Sequence, residues 1–78
     1  MLKLRVISPQ QLLYEGEVTS VTLPGLVSPF TVLENHAPII SALDRGLISC
    51  TDSEGVHEFN ADGGFVEVKD NVVSVCID

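Results

Sequence analysis

The stretch LKLRVI, from Leu2 to Ile7, alternates apolar and charged positions. Leu2, Leu4 and Val6 fall on one side and Lys3 and Arg5 on the other, the period of a strand with one wet face. Ser8-Pro9 ends the run, because proline has no backbone N–H to continue a ladder. The pattern then recurs along the chain. Gln11 to Glu15 predicts a short strand stopped by Gly16, and Val18 to Leu23 a Val- and Thr-rich strand stopped by Pro24-Gly25. Phe30 to Leu33 and Ile39 to Leu43 follow, the second ending at Asp44-Arg45-Gly46. Leu47 to Thr51, Val56 to Asn60, Phe65 to Val68 and Val72 to Ile77 complete the series, separated by polar, Gly-bearing or Asn-bearing loops. No stretch carries the period of an amphipathic helix. About eight to ten short strands joined by local turns predict an all-β fold, a small sandwich or barrel of antiparallel hairpins.

Length limits this fold to one domain, residues 1–78, with a modest core. Hydrophobic residues make up 45% of the chain and six glycines are added to them. That is slightly above the usual apolar share and is consistent with some surface being covered by a partner. Charge narrows the partners. Eleven acidic residues face four basic ones, Lys3, Arg5, Arg45 and Lys69, for a net charge of −7. Nucleic acid and anionic membranes are bound by clustered Lys and Arg, and the four basic residues are not clustered, so neither is expected as a ligand. No apolar run approaches the ~20 residues of a spanning helix, so direct membrane insertion is not expected. MLKLRVIS is too short and too soon polar for a signal peptide. Cys50 and Cys76 lie in apolar runs and are expected to be reduced, buried thiols.

Motifs for chemistry are weak. No serine lies in a G-x-S-x-G elbow, and neither cysteine has a basic neighbour to lower its pKa. His36 and His57 are far apart in sequence and belong to no zinc-binding spacing. His57 reads as a surface or edge histidine. Gly63-Gly64 precedes a strand and is followed by no Lys-Ser/Thr pair, so it reads as a turn or bulge rather than a phosphate cradle. Glu15 and Glu17 can share a strand face, as acidic pairs on exposed strands often do. No catalytic residue, metal ligand or cofactor is expected.

The run LPGLVSPFTVLENHAPIISALDRG, Leu23 to Gly46, is distinctive as a whole. Leu23-Pro24-Gly25, then Phe30, Val32 and Leu33, then His36-Ala37-Pro38, Leu43 and Gly46 resemble the signature of the epsilon subunit of F-type ATP synthases, called delta in mitochondria. Gly63-Gly64-Phe65-Val66-Glu67-Val68 is similar to that family's G-G-F-x-E-V, and Val73-Ser74-Val75 to its closing strand. Val6-Ile7-Ser8-Pro9 resembles its first strand and turn. The resemblance spans the chain and implies a β-sandwich. It further implies a noncatalytic rotor subunit of the central stalk, which links the gamma subunit to the membrane c-ring and couples ion-driven rotation to ATP synthesis. Location would be peripheral, on the cytoplasmic face of the bacterial inner membrane within the synthase, and no obligate homo-oligomer is expected. Two features depart from the family. The loop Leu26-Val27-Ser28-Pro29 lacks the Gly-Glu that usually precedes the phenylalanine. No C-terminal helical hairpin follows the sandwich, so a naturally short subunit without hairpin-type inhibition of hydrolysis is expected.

The resemblance implies gamma-subunit contacts at His36, Ala37, Pro38 and Ile40, and c-ring contacts at Ser8, Leu26, Val27, Ser28 and Pro29. Local physics fits this: Pro38 biases Ala37 toward extended backbone, and His36 then sits at a strand entrance. His36 is thus expected to meet a partner or to hydrogen-bond within the chain rather than to catalyse. The competing class is a free-standing β-sandwich that binds a small ligand, with an enzyme a distant third. Two separate apolar surfaces favour the rotor; one concave pocket favours the ligand module.

Overall fold

A computed structural model describes all 78 residues, Met1–Asp78. Nine strands form: β1 Leu2–Ile7, β2 Leu12–Val18, β3 Ser20–Leu23, β4 Phe30–Val32, β5 Ile39–Leu43, β6 Gly46–Asp52, β7 Gly55–Ala61, β8 Gly64–Lys69 and β9 Val72–Ile77. They make two sheets, one ordered β2-β1-β9-β8-β5 and the other β4-β3-β6-β7. The fold is the expected all-β sandwich.

Alternation decides which side chains meet between the sheets. Leu2, Leu4 and Val6 of β1 and Val73, Val75 and Ile77 of β9 are buried, as are Val66 and Val68 of β8. The other sheet adds Val21, Leu23, Val32, Ile48, Cys50 and Ala61. Sixteen hydrophobic residues form one cluster, and no polar or charged side chain is buried with them.

Three expectations are corrected by the tertiary structure. Gly16 does not stop β2, which continues to Val18. The Tyr14 ring lies over Gly16, whose added Cβ would come within 3.3 Å of the phenol oxygen, so the glycine makes room for the ring. The run Val18 to Leu23 is not one strand. Val18 and Val21 are both buried, yet residues three apart on a strand face opposite ways. The chain reconciles them by changing sheets at Thr19, whose N–H bonds the Thr51 carbonyl at 2.8 Å. The sandwich is also not purely antiparallel, since β1 and β9 pair in parallel from Lys3↔Val72 to Ile7↔Cys76. No local turn can specify that pair, because nearly the whole chain lies between its strands.

The cysteines are free, as expected, but only Cys50 is buried. Cys76 faces outward because its neighbours Val75 and Ile77 face in. The Asp70-Asn71 link between β8 and β9 has φ of 52° and 63°, the two positive values of a type I′ turn. Gly63-Gly64 is the crossing from β7 in one sheet to β8 in the other. A Cβ on Gly64 would lie 2.1 Å from the Cys76 carbonyl oxygen, so only glycine fits there.

Candidate functional site

Strand register sorts the candidate residues to opposite ends of the sandwich. Leu43 pairs with Gly64 and Gly64 with Ile77, while Ile7, just before Ser8, pairs with Cys76. Ser8 therefore lies at the Leu43–Ile77 end. Its N–H and Oγ both reach the Gln11 carbonyl, at 2.9 and 3.3 Å, closing the turn into β2. The loop Leu26–Pro29 leaves from the same end, because Gly25 bridges Leu43 and Phe30 pairs back onto Leu23. Its base is clamped. Asp44 N–H donates to the Pro24 carbonyl at 2.7 Å, and a Cβ on Gly25 would be 2.6 Å from the Ser28 carbonyl oxygen. Its tip projects: Leu26 is 61% exposed and Val27 is 100% exposed.

Ile39 pairs with Val68, and Val68 with Val73, at the other end. His36, Ala37 and Pro38 lie there, in the segment between β4 and β5. The His36 N–H bonds the Leu33 carbonyl at 3.2 Å, making a turn. The His36 Nδ1 is 2.7 Å from the Ala37 carbonyl oxygen, a bond that requires the proton on Nδ1. Ala37 and Pro38 are exposed. Ile40 follows on β5, the edge of its sheet, and is 76% exposed beside Glu67. An open groove of about 430 Å³ is lined here by Pro38, Ile39, Ile40, Glu67, Val68 and Lys69.

Sequence reading missed the outer face of the five-stranded sheet. Ala42, Phe65, Cys76 and Ile7 pair in one row across β5, β8, β9 and β1. Phe65 is 54% exposed, and Ile7 and Cys76 are half-buried. The row ends in a shallow cavity of about 280 Å³ that Ser8 and Pro9 also line. The corresponding row of the other sheet is Thr31, Thr22, Ser49 and Glu58, which is polar throughout. The available signal was parity: Ile7 and Phe65 are apolar residues at positions whose alternation points to water.

The one interlocked group of titratable side chains lies elsewhere, at the open side of the sandwich between β2 and β7. The Tyr14 hydroxyl donates to Asp52 Oδ2 at 2.7 Å. His57 Nε2 is 2.9 Å from the same oxygen, off the line of a good hydrogen bond, so the contact is ionic only when His57 is protonated. Tyr14 also packs on His57 and edge-on against Phe59. Burial and the bond to Asp52 push the Tyr14 phenol well up. That bond, with the Glu54 N–H, holds the Asp52 carboxyl below its usual range. Burial pushes the Cys50 thiol up, the reverse of nucleophile activation. Tyr14 joins one sheet to the other, so this group acts as a clasp. His57 is on β7, the edge of its sheet, as the sequence suggested.

The whole chain, residues 1–78, matches the family described as ATP synthase, Delta/Epsilon chain, beta-sandwich domain. An ATP synthase epsilon chain of Leptospira borgpetersenii is 43% identical over 77 residues, covering 99% of this chain and 61% of the relative. One of Chlorobium limicola is 41% identical over 70 residues, covering 88% of this chain and 80% of the relative. The chain therefore spans about three fifths of the Leptospira relative's length. Among solved structures, a chain of the Euglena gracilis mitochondrial ATP synthase, OSCP/F1/c-ring, superposes with TM-score 0.90 at 20% identity, covering 97% of this chain and 49% of that one. A chain from the Tetrahymena thermophila mitochondrial ATP synthase central stalk/c-ring superposes with TM-score 0.82 at 14% identity, covering 97% and 62%. Those two likenesses concern the fold. Family match and sequence identity agree along the full length: the chain belongs to the ATP synthase delta/epsilon family and forms its β-sandwich domain.

Proposed function

We propose that this chain is a noncatalytic rotor subunit in the central stalk of an F-type ATP synthase, one domain over residues 1–78, joining the gamma subunit to the c-ring. The observation that carries this reading is the family match along the whole chain. Supporting it, apolar side chains are exposed toward both ends of the sandwich, Leu26 and Val27 on the loop tip at one end and Ile40 on the edge strand toward the other. His36, Ala37, Pro38 and Ile40 contact gamma. Ser8 and Leu26, Val27, Ser28 and Pro29 contact the c-ring. The exposed residues of the loop tip, Leu26 and Val27, are apolar, so this contact is hydrophobic rather than ionic.

A coupling subunit has no need of a reactive group; it needs a body that transmits torque without slip. Here 38 of 45 backbone hydrogen bonds lie within strands, and one core binds the two sheets together. Ladders resist shear along the strands, and close-packed interiors resist compression. Nucleotide chemistry takes place on other subunits. The chain is held at the cytoplasmic face of a bacterial inner membrane through its partners, without entering the bilayer. On this reading the residues couple rotation without hairpin-type inhibition of hydrolysis.

The test is capture of the tagged chain by purified gamma subunit. Wild type binds, Ile40→Asp weakens binding by about tenfold or more, and His36→Ala weakens it less. A well-folded wild-type chain that fails to bind gamma, alone or with the ring present, would reject the rotor reading. Added to synthase depleted of its epsilon subunit, the 78 residues should restore coupling without strong inhibition of hydrolysis.

A further inference from the structure

We infer that Asn35 and Asn71 form an amide clasp that sets the shape of the His36-Ala37-Pro38 segment, making them positioning residues for the gamma contact; this rests on the gamma-contact reading above. Residues 33–38 lie between β4 and β5 and make no ladder bond, and all but His36 are exposed. Core packing therefore does little to hold the segment. The two His36 bonds, to Leu33 and Ala37, are internal to it and fix only its local shape.

Its ties to the body come from elsewhere. The Met1 ammonium pairs with Glu34, but both groups are exposed. The amide clasp is different. Asn35 N–H donates to Asn71 Oδ1 at 2.6 Å, and Asn71 Nδ2 donates back to Asn35 Oδ1 at 3.2 Å. A backbone N–H can meet only the oxygen of the Asn71 amide, which turns its NH₂ toward Asn35; the reciprocal orientation is thereby determined. Asn71 is itself anchored, since its carbonyl accepts the Lys3 N–H at 2.9 Å and it closes the type I′ turn between β8 and β9.

The residue type matters at both positions. Asn35 has φ 65° and Asn71 φ 63°, a region that asparagine tolerates better than most side chains. Glycine would suit the backbone but offers no amide. At position 71 aspartate would keep the acceptor but not the donor, whereas the Asn35 side chain supplies only an acceptor. Asn71 therefore uses both ends of its amide at the seam between the two turns, where Asn35, His36, Pro38, Asp70 and Asn71 line a small polar cavity of about 260 Å³. The spacing of His36 from the β8–β9 turn, and hence from Ile40 along β5, is then set by two hydrogen bonds rather than by packing.

Three variants separate the backbone requirement from the amide. Asn71→Gly keeps the φ and removes both bonds; it should weaken gamma binding about tenfold, in line with two ordinary hydrogen bonds. Asn35→Gly keeps the 2.6 Å bond, whose donor is backbone, and should lose about threefold. Asn71→Asp restores the acceptor and should stay within about threefold of wild type. Amide hydrogen exchange, which needs no partner, should speed up at Asn35 and His36 in Asn71→Gly and stay unchanged in β1 and β9. Unchanged exchange at Asn35, unchanged affinity in Asn71→Gly, equal losses in Asn71→Gly and Asn71→Asp, or a loss that follows global unfolding would each overturn the inference. If wild type fails to bind gamma, the contact role falls with the rotor reading, and the exchange data still report separately whether the clasp exists.

Discussion

Gly64 shows how much one missing side chain can decide. Its φ is 139°, and an added Cβ would lie 2.1 Å from the Cys76 carbonyl oxygen and 2.9 Å from the Ile77 Cα. These are backbone atoms in a paired strand and cannot swing away. Gly64→Ala should lose about 3 kcal/mol or more, enough to unfold much of a domain this small. Gly55 is the matched control, because its φ is 124° but nothing lies within 4 Å of its added Cβ. Gly55→Ala should cost about 1 kcal/mol through backbone strain alone. Denaturant midpoints of the two variants check the difference. Equal losses would mean that φ, and not the close approach to β9, governs Gly64.

Strands β2 and β7 are the edges of different sheets, and the element-scale question is what keeps them together. Tyr14, on β2, reaches Asp52 at the end of β6 and packs on His57 and Phe59 of β7. A bulge between Val6 and Ile7 in the β1–β2 pairing lets adjacent Leu13 and Tyr14 both pack on the core. The clasp has a signature in pH. Asp52 titrates below its usual range in the folded chain, so its stabilising contribution is present above pH ~4 and is lost as pH falls through the folded value. The Tyr14 phenol is raised, so its contribution is present below pH ~10 and is lost as pH climbs further. Melting temperature against pH should therefore show a Tyr14-dependent plateau between acid and alkaline declines. Tyr14→Phe should lower the plateau and flatten both slopes relative to wild type. Parallel curves for the two proteins would show that the Tyr14–Asp52 bond contributes nothing to either slope.

At the scale of the whole molecule, the question is whether one body carries two independent contacts. Ile40 and Val27 are both largely exposed, and strand register places them toward different ends of the sandwich. Each can be charged without disturbing the core. Ile40→Asp and Val27→Asp should each change folding stability by about 0.5 kcal/mol or less, as surface substitutions do. Val27→Asp should weaken binding to c-ring-containing membrane sectors and leave gamma binding intact, with Ile40→Asp doing the reverse. Because the sites share no neighbours, the losses in the double variant should add within about 0.5 kcal/mol in a full assembly assay. A Val27→Asp chain that binds the ring normally would remove the loop tip from the interface.

Much of this architecture is written in local pattern. Alternation in Leu2–Ile7 and Val72–Ile77 marks both strands and the side chains they bury, since a strand's period of two is a property of the backbone itself. Leu23-Pro24-Gly25, His36-Ala37-Pro38 and Gly63-Gly64-Phe65 resemble the family's motifs in order, and at Gly64 the close approach of the Cys76 carbonyl leaves room for nothing larger. What local pattern does not carry is how strands separated by most of the chain come together. The parallel pairing of β1 with β9 is one such case, and the sheet change at Thr19 is another. Gly16 misled for the same reason: its use is to admit the Tyr14 ring, and that ring turns inward only because Asp52, His57 and Phe59 are there to meet it. Parity alone marked Ile7 and Phe65 as outward, but only register set them in one row with Cys76 and Ala42. The sequence by itself determined the all-β class, the inward faces of strands such as β1 and β9, and the family. Tertiary structure decided the apolar face, the Tyr14 clasp and the Asn35–Asn71 pair, because each joins residues whose encounter depends on long-range pairing, which no local period encodes.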